Sequence, residues 1–178
     1  MATKLLDYSN VFGVAESSDL MATVAGHLYH LKATEDIENG SFTAIDPTTF
    51  VSGDVFQTKK PGKEDPVALI LTSIVIYEDY TPVMQEERNF YNKKDDIVRA
   101  YQLQPTDRFA LSKECFTSTK APEKGKYIAM DGTQFKATVY DAAPTDTAFV
   151  GYIYDVAANG NYRIFVMKNA MDKTGGTE

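Results

Sequence analysis

From Gly26 to Lys168 this chain is built of short stretches in which apolar and polar residues alternate, separated by dipeptides that reverse a backbone. Asn39-Gly40, Asp131-Gly132 and Asn159-Gly160 supply a positive φ at little steric cost, the strongest short-range signal for a turn between strands. Leu28, His30 and Lys32 fall on one face of a strand, and His27, Tyr29 and Leu31 on the other. Further strands are expected at Ser41–Ile45, ended by Pro47, and at Asp54–Thr58, followed by a charged loop over Lys59–Pro66. Val67 to Tyr77 is β-branched and apolar on both faces, which marks a central strand or a pair bent near Thr72-Ser73. Ile97–Leu103, Arg108–Leu111, Tyr127–Met130, Phe135–Tyr140, Phe149–Asp155 and Tyr162–Lys168 complete the set. About nine or ten short antiparallel strands at this spacing define an all-β barrel or sandwich. The 11 Tyr and 10 Phe suit half-buried pleated surfaces and favour the same class.

The flanks read differently. Residues 1–25 show no clean period, so they are expected to form an extended N-terminal arm, with residues 26–168 as the β domain and 169–178 as a flexible tail. Ser17-Ser18-Asp19 could cap a short helical turn over Leu20–Ala25. Leu5, Leu6, Tyr8, Val11 and Phe12 are the arm's apolar residues and its candidate partner contacts. Asp7 interrupts the only apolar run near the start, short of the roughly 7–15 residues that a secretory signal needs. Synthesis in a reducing cytoplasm is expected, with no bilayer-spanning run.

Composition narrows the partners. A net charge of −7 and a pI near 4.9 repel phosphate backbones and anionic membranes unless a basic patch opposes them. Here Lys59-Lys60 and Lys63 sit beside Glu64-Asp65, and Lys93-Lys94 beside Asp95-Asp96, so neither nucleic acid nor membrane is an expected partner. Cys115 is the single cysteine, which excludes an internal disulfide and a thiolate cluster and reads as a small packed residue.

No catalytic constellation stands out. Glu35-Asp36 with Glu38, Asp95-Asp96 and Glu86-Glu87 are carboxylate pairs on turns rich in Lys, Asn or Gly, where solvated acids are expected rather than two groups facing a cleft. His27 and His30 point to opposite faces of a strand and cannot share one ion. Asp141, Asp146 and Asp155 lack the ligand series of a calcium loop and could hold only a weak adventitious cation. Phosphate-cradling glycine motifs and a G-x-S-x-G elbow are absent. Tyr127, Phe135, Tyr140, Phe149, Tyr152, Tyr154, Tyr162 and Phe165 fill sheet faces at period two, and a partly exposed Tyr pair among them would suit a protein–protein contact. No enzyme activity and no cofactor are expected.

Asp36-Ile37-Glu38-Asn39-Gly40, Gly53-Asp54-Val55-Phe56, Pro66 to Asp79, Asn89 to Phe116 and Lys124 to Phe135 occur in an order that resembles the capsid decoration proteins of tailed bacteriophages. These are also called head-stabilising or cement proteins, and the resemblance covers residues 25–135. It implies a non-enzymatic virion protein, made in the host cytoplasm, that binds the outside of the assembled head. The implied partners are the major capsid protein and other copies of the chain, with a trimer favoured. Another virion component (head fibre, head–tail joining or tail protein) and a carbohydrate- or cell-surface-binding β module are the alternatives.

Overall fold

The computed structural model describes residues 11–16, 20, 28–74 and 87–170. They form an all-β body of two six-stranded sheets. In chain order the strands are β1 (Ala15–Glu16), β2 (Leu28–Lys32), β3 (Phe42–Ala44), β4 (Phe50–Ser52), β5 (Val55–Gln57), β6 (Val67–Ile70), β7 (Ile97–Gln102), β8 (Arg108–Leu111), β9 (Tyr127–Ala129), β10 (Thr138–Tyr140), β11 (Phe149–Val156) and β12 (Tyr162–Asn169). Sheet A runs β1-β8-β12-β11-β9-β10 and sheet B runs β3-β6-β7-β2-β5-β4. The strands pair antiparallel with one exception, β2 with β5, which is parallel. Single-turn 3-10 segments at Pro47–Thr49, Glu87–Asn89 and Lys113–Cys115 join them.

β6 explains why Val67 onward reads as apolar on both faces. It lies between β3 and β7, and all four of its residues are fully buried. Val67 and Leu69 point into the core between the sheets, with Phe42, Leu103, Phe109, Leu111, Ile128, Phe149, Ile153 and Ile164. Ala68 and Ile70 point the other way into a second cluster with Leu31, Ile37, Val98, Ala100 and Phe135. The strand is shorter than its apolar run: Leu71–Ile74 leave the ladder, and residues 75–80 lie outside the described part.

Two turn readings change. Asn39-Gly40 does turn the chain, with Gly40 at φ +83°, but it joins no paired hairpin, because β2 pairs with β5 and β7 and not with β3. The Asn39 side chain instead brackets Thr72, accepting from its N–H and donating to its carbonyl, both at 3.0 Å. Around Pro105, β7 and β8 are not neighbours either. The chain crosses there from sheet B to sheet A, with buried Asp107 accepting from the Gln104 N–H at 2.8 Å. Asp131-Gly132 and Asn159-Gly160 do connect paired strands, β9 to β10 and β11 to β12.

The sheets are stitched at the end of β12. Asn169 accepts from the Val67 N–H at 2.8 Å and donates to the carbonyls of Val67 at 2.8 Å and Leu103 at 2.7 Å. A side-chain amide thereby acts as an extra peptide group between the sheets. Residues 171–178 lie outside the described part.

Candidate interaction surface

Of the expected arm contacts, Leu5, Leu6 and Tyr8 lie outside the described residues. Val11 is 57% exposed. Phe12 is half-buried, its ring 4.8 Å from that of Tyr91 and its N–H donating to the Arg88 carbonyl at 2.9 Å. From there residues 13–16 are fastened to the body. The Gly13 N–H donates to Glu38 Oε2 at 2.7 Å, and Glu38 Oε1 is held by Lys136 Nζ at 2.9 Å. Val14 donates to the Ser112 hydroxyl at 3.0 Å and accepts from the Ser112 N–H at 2.9 Å. Ala15 and Glu16 then form β1 on the edge of β8. The Glu16 carboxylate receives the side-chain amides of Asn159 at 2.7 Å and Asn161 at 2.6 Å from the β11–β12 turn. Leu20 is buried in the core between the sheets. The sheet scaffold thus begins at Ala15, ahead of Gly26.

Cys115 sits beneath this strap. Its Sγ lies 3.6 Å from the Val14 carbonyl and 3.8 Å from that of Asn39. A Cβ on Gly13 would stand 2.7 Å from that sulfur, and one on Gly40 2.6 Å. Burial pushes the thiol up to about 12, so it is a packed, protonated group and not a nucleophile at neutral pH.

The turn carboxylates at Glu35, Asp36, Asp95 and Asp96 are committed to lysines and backbone amides, while Glu86 lies outside the described residues. Glu35 pairs with Lys60 and Asp95 with Lys32, while Asp36 accepts from the Lys94 N–H at 2.8 Å and Asp96 from that of Lys93 at 3.1 Å. Hydrogen bonding from Lys59 holds the Asp46 carboxyl far below the usual range, and the Lys32 ammonium lowers that of Asp95. Asp141 is bridged by the ammonium groups of Lys120 and Lys126, and Asp155 faces Lys124 and Arg163, so lysine and arginine occupy two of the three places considered for a weak cation, while Asp146 accepts from the Thr145 hydroxyl at 3.3 Å. His30 Nδ1 lies 3.4 Å from Asp54 Oδ2, and His27 is outside the described residues. Among the described residues no three His, Cys, Asp or Glu converge as metal ligands, and no helix is long and apolar enough to cross a membrane.

Among the described residues two clusters of apolar groups face outward, beside the singly exposed Ile97, Val156 and Met167. On sheet A the register places Phe165 opposite Tyr152, Tyr152 opposite Tyr127, and Tyr127 opposite Tyr140. Directly opposed residues share a face, so four half-buried rings form one row across β12, β11, β9 and β10, on the side away from Ile128, Ile153 and Ile164. Arg108 stands opposite Phe165 at one end, and Lys126 and Asp141 flank the other. The hydroxyls of Tyr127, Tyr140, Tyr152 and Tyr154 make no hydrogen bond among the described residues. Tyr154 falls at an irregularity of β11 and has no residue opposite it.

The second surface went unread in the sequence. It is the β4–β5 hairpin at the free edge of sheet B, turned by Gly53 at φ +62°. Phe50 is 57% exposed and Val51 40%, with the Phe56 ring 6.0 Å behind Phe50. Its signal was Phe-Val followed by Gly-Asp, a glycine at the first central position of a two-residue hairpin loop.

Comparison of the chain with protein-family models, with curated proteins and with solved structures finds no match.

Proposed function

We propose that this chain is a non-enzymatic structural protein of a phage virion, a capsid decoration protein that binds the outside of the assembled head and ties neighbouring major capsid subunits together. The observation that carries the reading is the way residues 12–16 are pinned to the body while Val11 is left exposed. A leader that starts from a fixed point reaches a neighbour at less entropic cost than one rooted in a loose linker. Ten residues precede Val11, among them Leu5, Leu6 and Tyr8. An extended segment with such side chains gains affinity by main-chain pairing along a partner's open edge and by filling pockets. Individually weak contacts become strong when a bound oligomer, for which a trimer is favoured, engages several at once. The tilt of the Tyr127 and Tyr152 rings, 49° at 5.2 Å, favours a protein contact over a sugar site, because the rings pack on one another instead of offering a flat stacking platform.

Deleting residues 2–10 tests the reading. The shortened chain should keep the circular dichroism and thermal transition of the full chain, and should no longer co-sediment with heads assembled without it. Undiminished binding would remove the leader from the mechanism. Labelled protein found by electron microscopy at the portal vertex or tail would replace decoration with a joining or tail role.

A further inference from the structure

Asn-Gly occurs twice in the chain, at Asn39-Gly40 and Asn159-Gly160, and the fold puts the two copies in opposite surroundings. Asn39 is 4% exposed, its side chain accepting from the Thr72 N–H at 3.0 Å and the Asn92 amide at 3.2 Å and donating to the Thr72 carbonyl at 3.0 Å. The Gly40 N–H donates to the Ile70 carbonyl at 2.8 Å, and a Cβ on Gly40 would stand 2.6 Å from Cys115 Sγ. Asn159 and Gly160 instead form the exposed tip of the β11–β12 hairpin. The Gly160 N–H is held within the turn, by the Ala157 carbonyl at 2.9 Å, and nothing lies within 4 Å of the place a Cβ would take. Such a tip opens locally and leaves both cores intact, whereas freeing Asn39 means parting it from Ile70, Thr72 and Asn92.

The difference matters because an asparagine followed by glycine loses its amide without an enzyme. The glycine backbone nitrogen, its proton taken by solvent base, attacks the asparagine Cγ. The bond from Cγ to the amide nitrogen breaks, ammonia leaves, and a cyclic imide remains. One water then opens the ring at either carbonyl, giving aspartate or isoaspartate, with no change of oxidation state. Glycine favours the attack because no side chain shields its nitrogen.

We infer that Asn159 is a site of spontaneous deamidation, and that its conversion unfastens β1 from the body at Glu16. Glu16 Oε1 is held by two amides of this turn, those of Asn159 at 2.7 Å and Asn161 at 2.6 Å. The Asn159 Oδ1 accepts from the Asn161 N–H at 3.1 Å, which keeps the donor side of its amide on Glu16. Conversion replaces that donor with a group ionised at neutral pH, so carboxylate faces carboxylate. The isoaspartyl product also adds a backbone carbon inside a turn closed by the Ala157 N–H on the Asn161 carbonyl at 2.8 Å. β1 has two residues and pairs with β8 alone, so the Glu16 clasp is a large part of what holds its outer end. The site stands independently of the virion reading.

The test is to age the full chain in mildly alkaline buffer made with water enriched in heavy oxygen, and to map the digest by mass spectrometry. Asn159 should convert at least about tenfold faster than Asn39, the factor given by about 1.4 kcal/mol of difference in opening. The converted chain, separated by its extra negative charge, and the variant Asn159→Asp should both remain folded by circular dichroism. Both should exchange the amide hydrogens of residues 13–16 about tenfold faster than the starting chain. Adding Glu16→Gln to Asn159→Asp should undo most of that gain. Should Asn159→Asp not fold, the converted chain carries the exchange measurement by itself. Conversion of Asn39 as fast as Asn159, or an intact Asn159 under conditions that convert it in the urea-unfolded chain, would overturn the site. Unchanged exchange at residues 13–16 after conversion, or a gain that Glu16→Gln leaves in place, would overturn the release of β1 by charge.

Discussion

Thr106 holds φ at +81°, a region that a β-branched residue enters only at a cost of about 1–3 kcal/mol. The crossover between the sheets imposes it, since the Thr106 N–H must reach the Val166 carbonyl at 2.8 Å while Asp107 is buried. Thr106→Gly should therefore raise stability by about 1 kcal/mol in urea denaturation, the relief of strain exceeding the added freedom of the unfolded chain. Asp141 offers a different test. The hydrogen-bonding ammonium groups of Lys120 and then Lys126 hold its carboxyl down to about 2 from an ordinary 3.8. The folded state thus favours the carboxylate. Its contribution is complete above about pH 4, where aspartates of the unfolded chain are ionised, and is lost as pH falls through about 2. Carboxyl NMR should find that midpoint near pH 2, and Asp141→Asn should flatten the acid limb of the stability curve.

At the scale of elements, the strap over residues 12–16 is held chiefly by side chains and carbonyls far away in sequence. Glu38 is 25 residues from Gly13, Ser112 is 98 from Val14, and Asn161 is 145 from Glu16. Such bonds leave no period in the sequence, which is why residues 11–16 read as part of an unpatterned leader. The strands with a buried face were legible from alternation: β2, β7, β8, β9, β11 and β12 lie within a residue or so of their expected places. Their pairing was not, because Asn39-Gly40 and Asn159-Gly160 are the same dipeptide and only the second closes a hairpin. Partner choice is set by which cores the flanking strands share, a non-local matter. β4 escaped notice because three exposed residues after Pro47 give alternation nothing to register. At the candidate surface the aromatic residues of the strands could be read, while the row across four strands required the register. The strap's packing yields a third expectation. Gly13→Ala would press a methyl against the Cys115 sulfur at 2.7 Å and the Asn39 carbonyl at 3.0 Å. It should cost about 1–3 kcal/mol, speed hydrogen exchange at residues 13–16, and be partly relieved by Cys115→Ala.

For the molecule as a whole, β6 belongs to both cores, and Asn169 clips it to the other sheet with two hydrogen bonds to Val67 and a third to the neighbouring Leu103 carbonyl. At about 1 kcal/mol net for each bond, Asn169→Ala should lower stability by about 2–3 kcal/mol. It should do so within a single transition, with tyrosine fluorescence and far-ultraviolet dichroism moving together. Two separated transitions would mean that the sheets melt independently.

The same clip bears on how the protein is made. Neither layer is finished until Asn169 has emerged from the ribosome, because β12 lies in the interior of sheet A and its final side chain holds Val67 at the start of β6 in sheet B. A nascent chain halted before that point exposes Val67, Leu69 and Ile164 to chaperones, so synthesis, and not any later encounter, is when this molecule most needs guarding.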